Sequence, residues 1–296
     1  MHRSADSAAP PREGAPRLIA VVGAKGGVGT TTVAVNLAIA LAREGRRTLL
    51  VDADMQRADV AAQCALPDGY CLADVMSGRR TLHEAIRLGP AGVQILPGRW
   101  GANAADEWSV RTQDRLVRDL RALGPHADIV LLDVGATIAP PTRRFWRDAD
   151  DVVLVTSPDR VAVMDAYAMI KAQFDASQDA RVAILVNQAS DAACGQDAQV
   201  RLQRACRRFL GLEARALGVL PYDVSVGVAA TVVQPVLLHA PACVTAQEIT
   251  RVAGWIVEAG RDRRRTAATM SLVAAGPAEY GASGTNPPSL PSAGPV

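Results

Sequence analysis

Gly23-Ala24-Lys25-Gly26-Gly27-Val28-Gly29-Thr30-Thr31-Thr32 is the stretch on which the fold turns. It follows an uninterrupted apolar run, residues 18–22, and opens a segment, residues 31–43, with the composition of a buried helix. In that context the glycines let backbone N–H groups converge on an anion, because a Cβ there would block the approach. The helix start turns its unpaired N–H groups and the positive end of its dipole toward the same point. A strand, a glycine-rich turn and a helix in this order read as a phosphate-binding loop. The Thr31 hydroxyl then stands where Mg²⁺ would be held, and Thr32 is within reach of an α-phosphate.

Outward from the loop, further runs rich in Val, Ile and Leu recur at residues 48–51, 93–96, 129–132, 152–155, 182–186 and 217–220. None alternates with polar residues, as expected of strands buried on both faces. Segments 107–123, 161–174, 200–210 and 245–259 read as helices between them. The chain is therefore expected to be α/β, a mostly parallel sheet of seven to eight strands with helices on both faces. Residues 1–16, rich in Ala, Pro and Ser, read as a flexible leader, and 17–265 as one domain. Residues 266–296 have loop composition and read as a disordered tail.

Composition narrows the function. The net charge of +2 argues against a nucleic-acid binder that relies on overall basicity. The five cysteines are scattered without a C-x-x-C pair, which fits free thiols in a reducing compartment. The leader lacks the apolar core of a signal peptide, so the protein is read as cytoplasmic. Of 32 basic residues only Lys25 and Lys171 are lysine. A lysine kept inside the glycine loop points to a compact point charge for a tight phosphate site.

The order Lys25-Gly26-Gly27-Val28-Gly29 followed by Thr31 and Thr32 resembles the deviant Walker A motif of the MinD/ParA ATPases, P-loop proteins of the SIMIBI type. The resemblance continues through Asp52-Ala53-Asp54, similar to the family's first switch, and Asp133-Val134-Gly135-Ala136, similar to its Walker B and second switch. It covers about residues 17–260. The pattern Thr156-Ser157-Pro158-Asp159 with 165–171 is most similar to the FlhG/FleN group, which regulates flagellar number and placement. The resemblance implies ATP or ADP with Mg²⁺ as ligands, bound at Gly26, Gly27, Val28, Gly29, Thr30, Thr31 and Thr32. It implies Thr31, Asp54 and Asp133 around the metal, with Asp54 and Asp133 also placing the attacking water. Asn187 is implied to read adenine, flanked by the loop with Pro221 and Asp223. Lys25 is implied to reach the partner's phosphates in an ATP-dependent homodimer. A protein partner in flagellar or polar assembly follows, as does transient contact with the inner face of the membrane.

The chain departs from the family at Thr30, where a P-loop lysine would normally stand. Threonine is shorter and neutral, so phosphoryl transfer loses a placed charge, while binding by the backbone loop is largely kept. Slow hydrolysis is expected. The region 259–275 carries Arg261, Arg263, Arg264 and Arg265 before a short apolar piece, and reads as a solvated helix end rather than a MinD-type membrane anchor. Arg201, Arg204, Arg207 and Arg208 recur at helical spacing, as a basic stripe or an ordinary solvated face. For Arg143-Arg144-Phe145-Trp146-Arg147 the expectation is one ring in the core and the arginines at an interface. Two other readings stay open: a non-hydrolysing nucleotide-binding scaffold of a pilus or cellulose-secretion system, and a ParA-like DNA-segregation ATPase.

Overall fold

The apolar runs become strands covered on both faces: in β2 (Thr48–Asp52), β5 (Ile129–Asp133) and β6 (Asp151–Thr156) every residue is buried. The computed structural model describes residues 14–54, 56–99, 109–137, 140–173 and 181–274, with the backbone alone at 140–142 and 262–274. Residues 1–13 of the expected leader and 275–296 of the expected tail lie outside the described residues. The chain divides into two compact units, Met1–Val257 and Glu258–Val296.

The first unit opens with β1 (Arg17–Gly23), α1 (Thr30–Arg43) and β2. Three short helices follow, α2 (Val60–Gln63), α3 (Leu72–Met76) and α4 (Leu82–Ala85), then β3 (Arg87–Leu88) and β4 (Gln94–Leu96). The middle contains α5 (Val110–Arg121), β5, α6 (Pro140–Asp148), β6 and α7 (Arg160–Gln173). The first unit closes with β7 (Arg181–Ala189), α8 (Ala192–Leu210), β8 (Arg215–Pro221), α9 (Val224–Thr231), α10 (Val236–His239) and the part of α11 (Val244–Ala274) up to Val257. The eight strands form one sheet in the order β3-β4-β2-β5-β1-β6-β7-β8. All neighbours run parallel except β3 and β4. The chain moves outward from β1 to one edge, returns with β5, then crosses β1 to build the other half. The carboxyl end of β1 lies where these two halves diverge, the position at which open α/β sheets take ligands.

Alternate residues of β1 feed the two layers. Leu18, Ala20 and Val22 pack with Leu116 and Leu120 of α5, Met169 of α7 and Leu202 of α8. Ile19 and Val21 pack with Val33, Leu37 and Leu41 of α1 and Ile249, Val252 and Ile256 of α11. Phe145 and Trp146 are both fully buried in the first layer, so the expected split of one ring in and one out is corrected. Each ring removes on the order of 150–250 Å² from water, and a chain this poor in aromatics uses both for its core. The helix expected over residues 245–259 is longer, running Val244–Ala274 and so into what reads as tail. The helices α2, α3, α4, α6, α9 and α10 had no counterpart in the sequence reading. Among the described residues no helix is long and apolar enough to cross a membrane.

Candidate functional site

Seven parallel strands deliver their carboxyl ends to one rim of the sheet, and the residues expected to bind nucleotide sit there. The loop after β1 closes on Gly29, the N-cap of α1, at φ 85° in the left-handed region. A Cβ at Gly29 would be strained by that φ and would stand 2.6 Å from Asn187 Nδ2. The loop is held from the β7 side by two amides. Asn187 Nδ2 donates to the Val28 carbonyl at 2.8 Å and Gln188 Nε2 donates to the Gly27 carbonyl at 3.1 Å. Gln188 itself has φ 59°, and the β7–β8 register shifts between Val186 and Ala189. A non-glycine residue held in the left-handed region costs of order 1 kcal/mol or more. The bulge re-aims two consecutive side chains onto the loop.

The opposite side is acidic. Asp52 is buried, and its carboxylate accepts from the backbone N–H of Val60 at 3.1 Å and of Asp54 at 3.4 Å. Burial, reinforced by the neighbouring Asp133, holds its pKa well above the ordinary carboxylate range. Asp54 accepts from the N–H groups of Gln56 and Arg57, and burial raises its pKa as well. Gly135 at φ 69° lies against it, and a Cβ there would overlap the Asp54 carboxylate. Asp133 is fully buried, and burial pushes its pKa up to about 7, with the Thr31 hydroxyl hydrogen bond opposing and Asp54 repulsion adding. Its Oδ2 is buried without a hydrogen-bond partner. Asp52, Asp54 and Asp133 thus lie on one side of the helix start, one oxygen of Asp133 is unsatisfied, and Arg57 offsets only Asp54, in part.

That donor set fits Mg²⁺. Among the described residues no three His, Cys, Asp or Glu side chains converge closely enough to cage a metal by themselves. Mg²⁺ rarely asks for such a cage: it keeps waters and takes one or two protein oxygens together with substrate phosphates. An orphaned buried carboxylate oxygen beside a threonine hydroxyl is suited to that.

Lys25 and Thr30 differ sharply. Lys25 Nζ donates to both Asp159 oxygens, at 3.1 and 3.3 Å, and about a third of its side chain is exposed. Asp159 is clamped from its other side by the Ser157 hydroxyl at 2.6 Å and by the Ala162 N–H at 2.9 Å. These hydrogen bonds, Ser157 first, hold its pKa down at about 2, and the Lys25 ammonium adds to them. Thr30 is buried at the start of α1, with its hydroxyl against the Gly23 Cα. Pro221 and Asp223 end the rim: the Thr245 hydroxyl donates to the Pro221 carbonyl at 2.7 Å, and Asp223 caps α9 through the Ser225 N–H at 2.9 Å. Tyr222 N donates to the Ala189 carbonyl at 2.7 Å, tying this loop to the end of β7.

Six of the arginines singled out by pattern have contacts within the chain. Arg144 pairs with Asp114 and Asp148, Arg147 also pairs with Asp148, and Arg143 donates to the Ala172 carbonyl. In the α8 stripe, Arg201 pairs with Asp197, Arg207 is bidentate on Glu213, and Arg208 lies over Phe209. Sequence reasoning missed Asp159 as the partner of Lys25, and it missed Gln188. Ser157-Pro158-Asp159 before a helix is a legible capping signal for the first; no signal marks the second.

A family model described as an AAA domain matches residues 16–181. The chain is 37% identical over 210 residues to the antiactivator FleN of Pseudomonas aeruginosa, covering 71% of this chain and 75% of that protein. It is 28% identical over 210 residues to the flagellum site-determining protein YlxH of Helicobacter pylori, with 70% of each covered. Its fold matches the septum site-determining protein MinD of Pyrococcus horikoshii, solved in complex with Mg-ADP. The TM-score is 0.67 at 24% identity, over 81% of this chain and 96% of that one. On the family model and the FleN relative together, the chain belongs to the MinD/ParA ATPase family, in its FlhG/FleN-like group.

Proposed function

We propose that this chain is an ATP-operated switch that dimerises in the ATP state and acts on the number or placement of flagella or of a similar polar assembly. ATP and Mg²⁺ bind at Gly26, Gly27, Val28, Gly29, Thr30, Thr31 and Thr32. When bound, the metal supplies charge neutralisation between the phosphates. Thr31, Asp54 and Asp133 face it, and Asp54 and Asp133 orient the attacking water. Asn187, with the loop carrying Pro221 and Asp223, selects adenine. Lys25 leaves Asp159 and completes the partner's site.

The observation that carries this reading is the buried, unpartnered Oδ2 of Asp133 beside the Thr31 hydroxyl, under a helix start and a glycine loop. An unpaired buried carboxylate is costly, and a cation held with phosphates relieves it. The names of the relatives FleN and YlxH support the flagellar setting. Thr30 supports slow turnover, since it is neutral and Lys25, the loop's one cation, is held by Asp159. Calorimetric titration tests the reading: ATP with Mg²⁺ is expected to bind more tightly than GTP. Equal affinity for both, or none for either, counts against it.

A further inference from the structure

Two consecutive side chains of β7 end on the phosphate loop, and stability does not account for the second. In a regular strand neighbouring side chains point to opposite faces. Asn187 and Gln188 both reach the loop because the backbone turns to φ 59° at Gln188, where the register of β7 against β8 shifts. Of the four non-glycine residues with positive φ among the described residues, Ala65, Ala91, Gln188 and Val233, this is the one inside a strand. The strain of that backbone and the single hydrogen bond from the Gln188 amide to the Gly27 carbonyl are of similar size and opposite sign. The side chain is exposed, so apolar burial adds little to its worth.

What the bond does is aim the loop. A peptide unit is planar and trans, so its carbonyl and its N–H point in opposite directions. With the Gly27 carbonyl held on the β7 side by Gln188 Nε2 at 3.1 Å, the Val28 N–H is turned away from β7. With the Val28 carbonyl held by Asn187 Nδ2 at 2.8 Å, the Gly29 N–H is turned the same way. Gly27 at φ 86° and Gly29 at φ 85° give the chain the freedom to make this run. Among the described residues neither N–H donates a hydrogen bond within the chain. Two successive free N–H groups on one side of a glycine turn, just ahead of a helix start, form a nest for an anion. A donor on each carbonyl also polarises its peptide unit and makes the N–H a stronger donor.

We propose that Gln188 is a positioning residue for the phosphates: it acts through the Gly27–Val28 peptide and keeps the Val28 N–H on the bound phosphate, whatever base the nucleotide carries. This rests on the nucleotide reading given above and deepens it. The two amides are given separate tasks, Gln188 serving the phosphates alone while Asn187 both holds the loop and selects the base.

The test measures binding of ATP, GTP and inorganic pyrophosphate, each with Mg²⁺, to the full chain by calorimetry. Gln188→Met keeps the side-chain length and the backbone restraint and removes the donor. Gln188→Gly removes the donor and relieves the backbone. Both are expected to weaken ATP and pyrophosphate by the same factor, about fivefold, the worth of one hydrogen bond. GTP should weaken by that factor too, so the preference for ATP is unchanged, and the urea midpoint of Gln188→Gly should stay close to that of the unaltered protein. Pyrophosphate binding that neither substitution changes would overturn the proposal and leave the nucleotide reading standing. So would a loss confined to Gln188→Gly, which assigns the effect to the backbone, or a loss for ATP with pyrophosphate unmoved, which makes Gln188 a contact of the nucleoside. No binding of ATP or pyrophosphate by the unaltered protein would overturn both.

Discussion

The two sides of the nucleotide rim handle polar groups in opposite ways. On the β7 side, Asn187 and Gln188 are neutral and already bonded to the loop carbonyls. On the β2–β5 side, Asp52 and Asp133 are buried, Asp54 is half-buried beside them, and one carboxylate oxygen of Asp133 has no partner. A satisfied amide is as good without ligand as with it; a buried unpaired carboxylate is not. The comparison teaches that the amide side is built in advance, whereas the acidic side keeps a group free for what binds.

The largest effect is expected from removing the unfinished charge. Asp133→Asn should lower Mg²⁺-dependent ATP affinity by about a hundredfold, roughly 2.7 kcal/mol, and should not destabilise the ligand-free chain. Paired calorimetry and urea unfolding check this. A loss of stability with affinity intact would mean that the carboxylate is structural and the contrast between the sides false.

Thr30→Lys comes next, since Thr30 sits between the two sides. Steady-state phosphate release should rise at least about tenfold, roughly 1.4 kcal/mol of barrier, with ATP affinity little changed. Brisk turnover of the unaltered protein, unmoved by the substitution, would show that Lys25 of a partner already supplies the missing charge.

Asp159 gives a smaller, pH-dependent effect on the Lys25 side of the loop. Its carboxyl is held at about 2 against an ordinary 3.8, so the charged form is favoured by folding. That contribution is present above the unfolded value and is lost as pH falls through the folded one. Asp159→Asn should therefore lower the urea midpoint at about pH 5, and the gap to the unaltered protein should narrow between about pH 4 and pH 2. A gap that does not vary with pH would assign Asp159 a capping role only. The smallest effect is expected at Gln188, where glycine relieves the left-handed backbone but loses one hydrogen bond. These two changes are each about 1 kcal/mol and opposite in sign, so Gln188→Gly should leave stability within about 0.5 kcal/mol. A large loss would mean that the amide side depends on this one clamp.

Much of the rim was legible because its chemistry is local. Glycines, one lysine and three threonines between a strand and a helix define the loop without tertiary knowledge, and Asp54, Asp133 and Asn187 follow apolar runs that could only be strand ends. Gln188 was not legible, because nothing about a glutamine announces φ 59°; the register shift of β7 against β8 imposes it. The pairing of Lys25 with Asp159 spans 134 positions and depends on β1 and β6 being neighbours. The helices between β2 and β4 escaped because each has only four or five residues, too few for a helical period to show. Phe145 and Trp146 were misjudged because no helix was read at residues 140–148, so nothing in the sequence assigned the two rings to a common face. In α6 both meet the same layer.

The central claim is that nucleotide decides the assembly and that Lys25 carries the decision. Light scattering on the full chain, with and without ATP and Mg²⁺, tests it directly, run beside Lys25→Ala. The account predicts a doubling of mass on adding ATP to the unaltered protein, and a Lys25→Ala monomer that still binds nucleotide. The same mass with and without ATP in both proteins would contradict it.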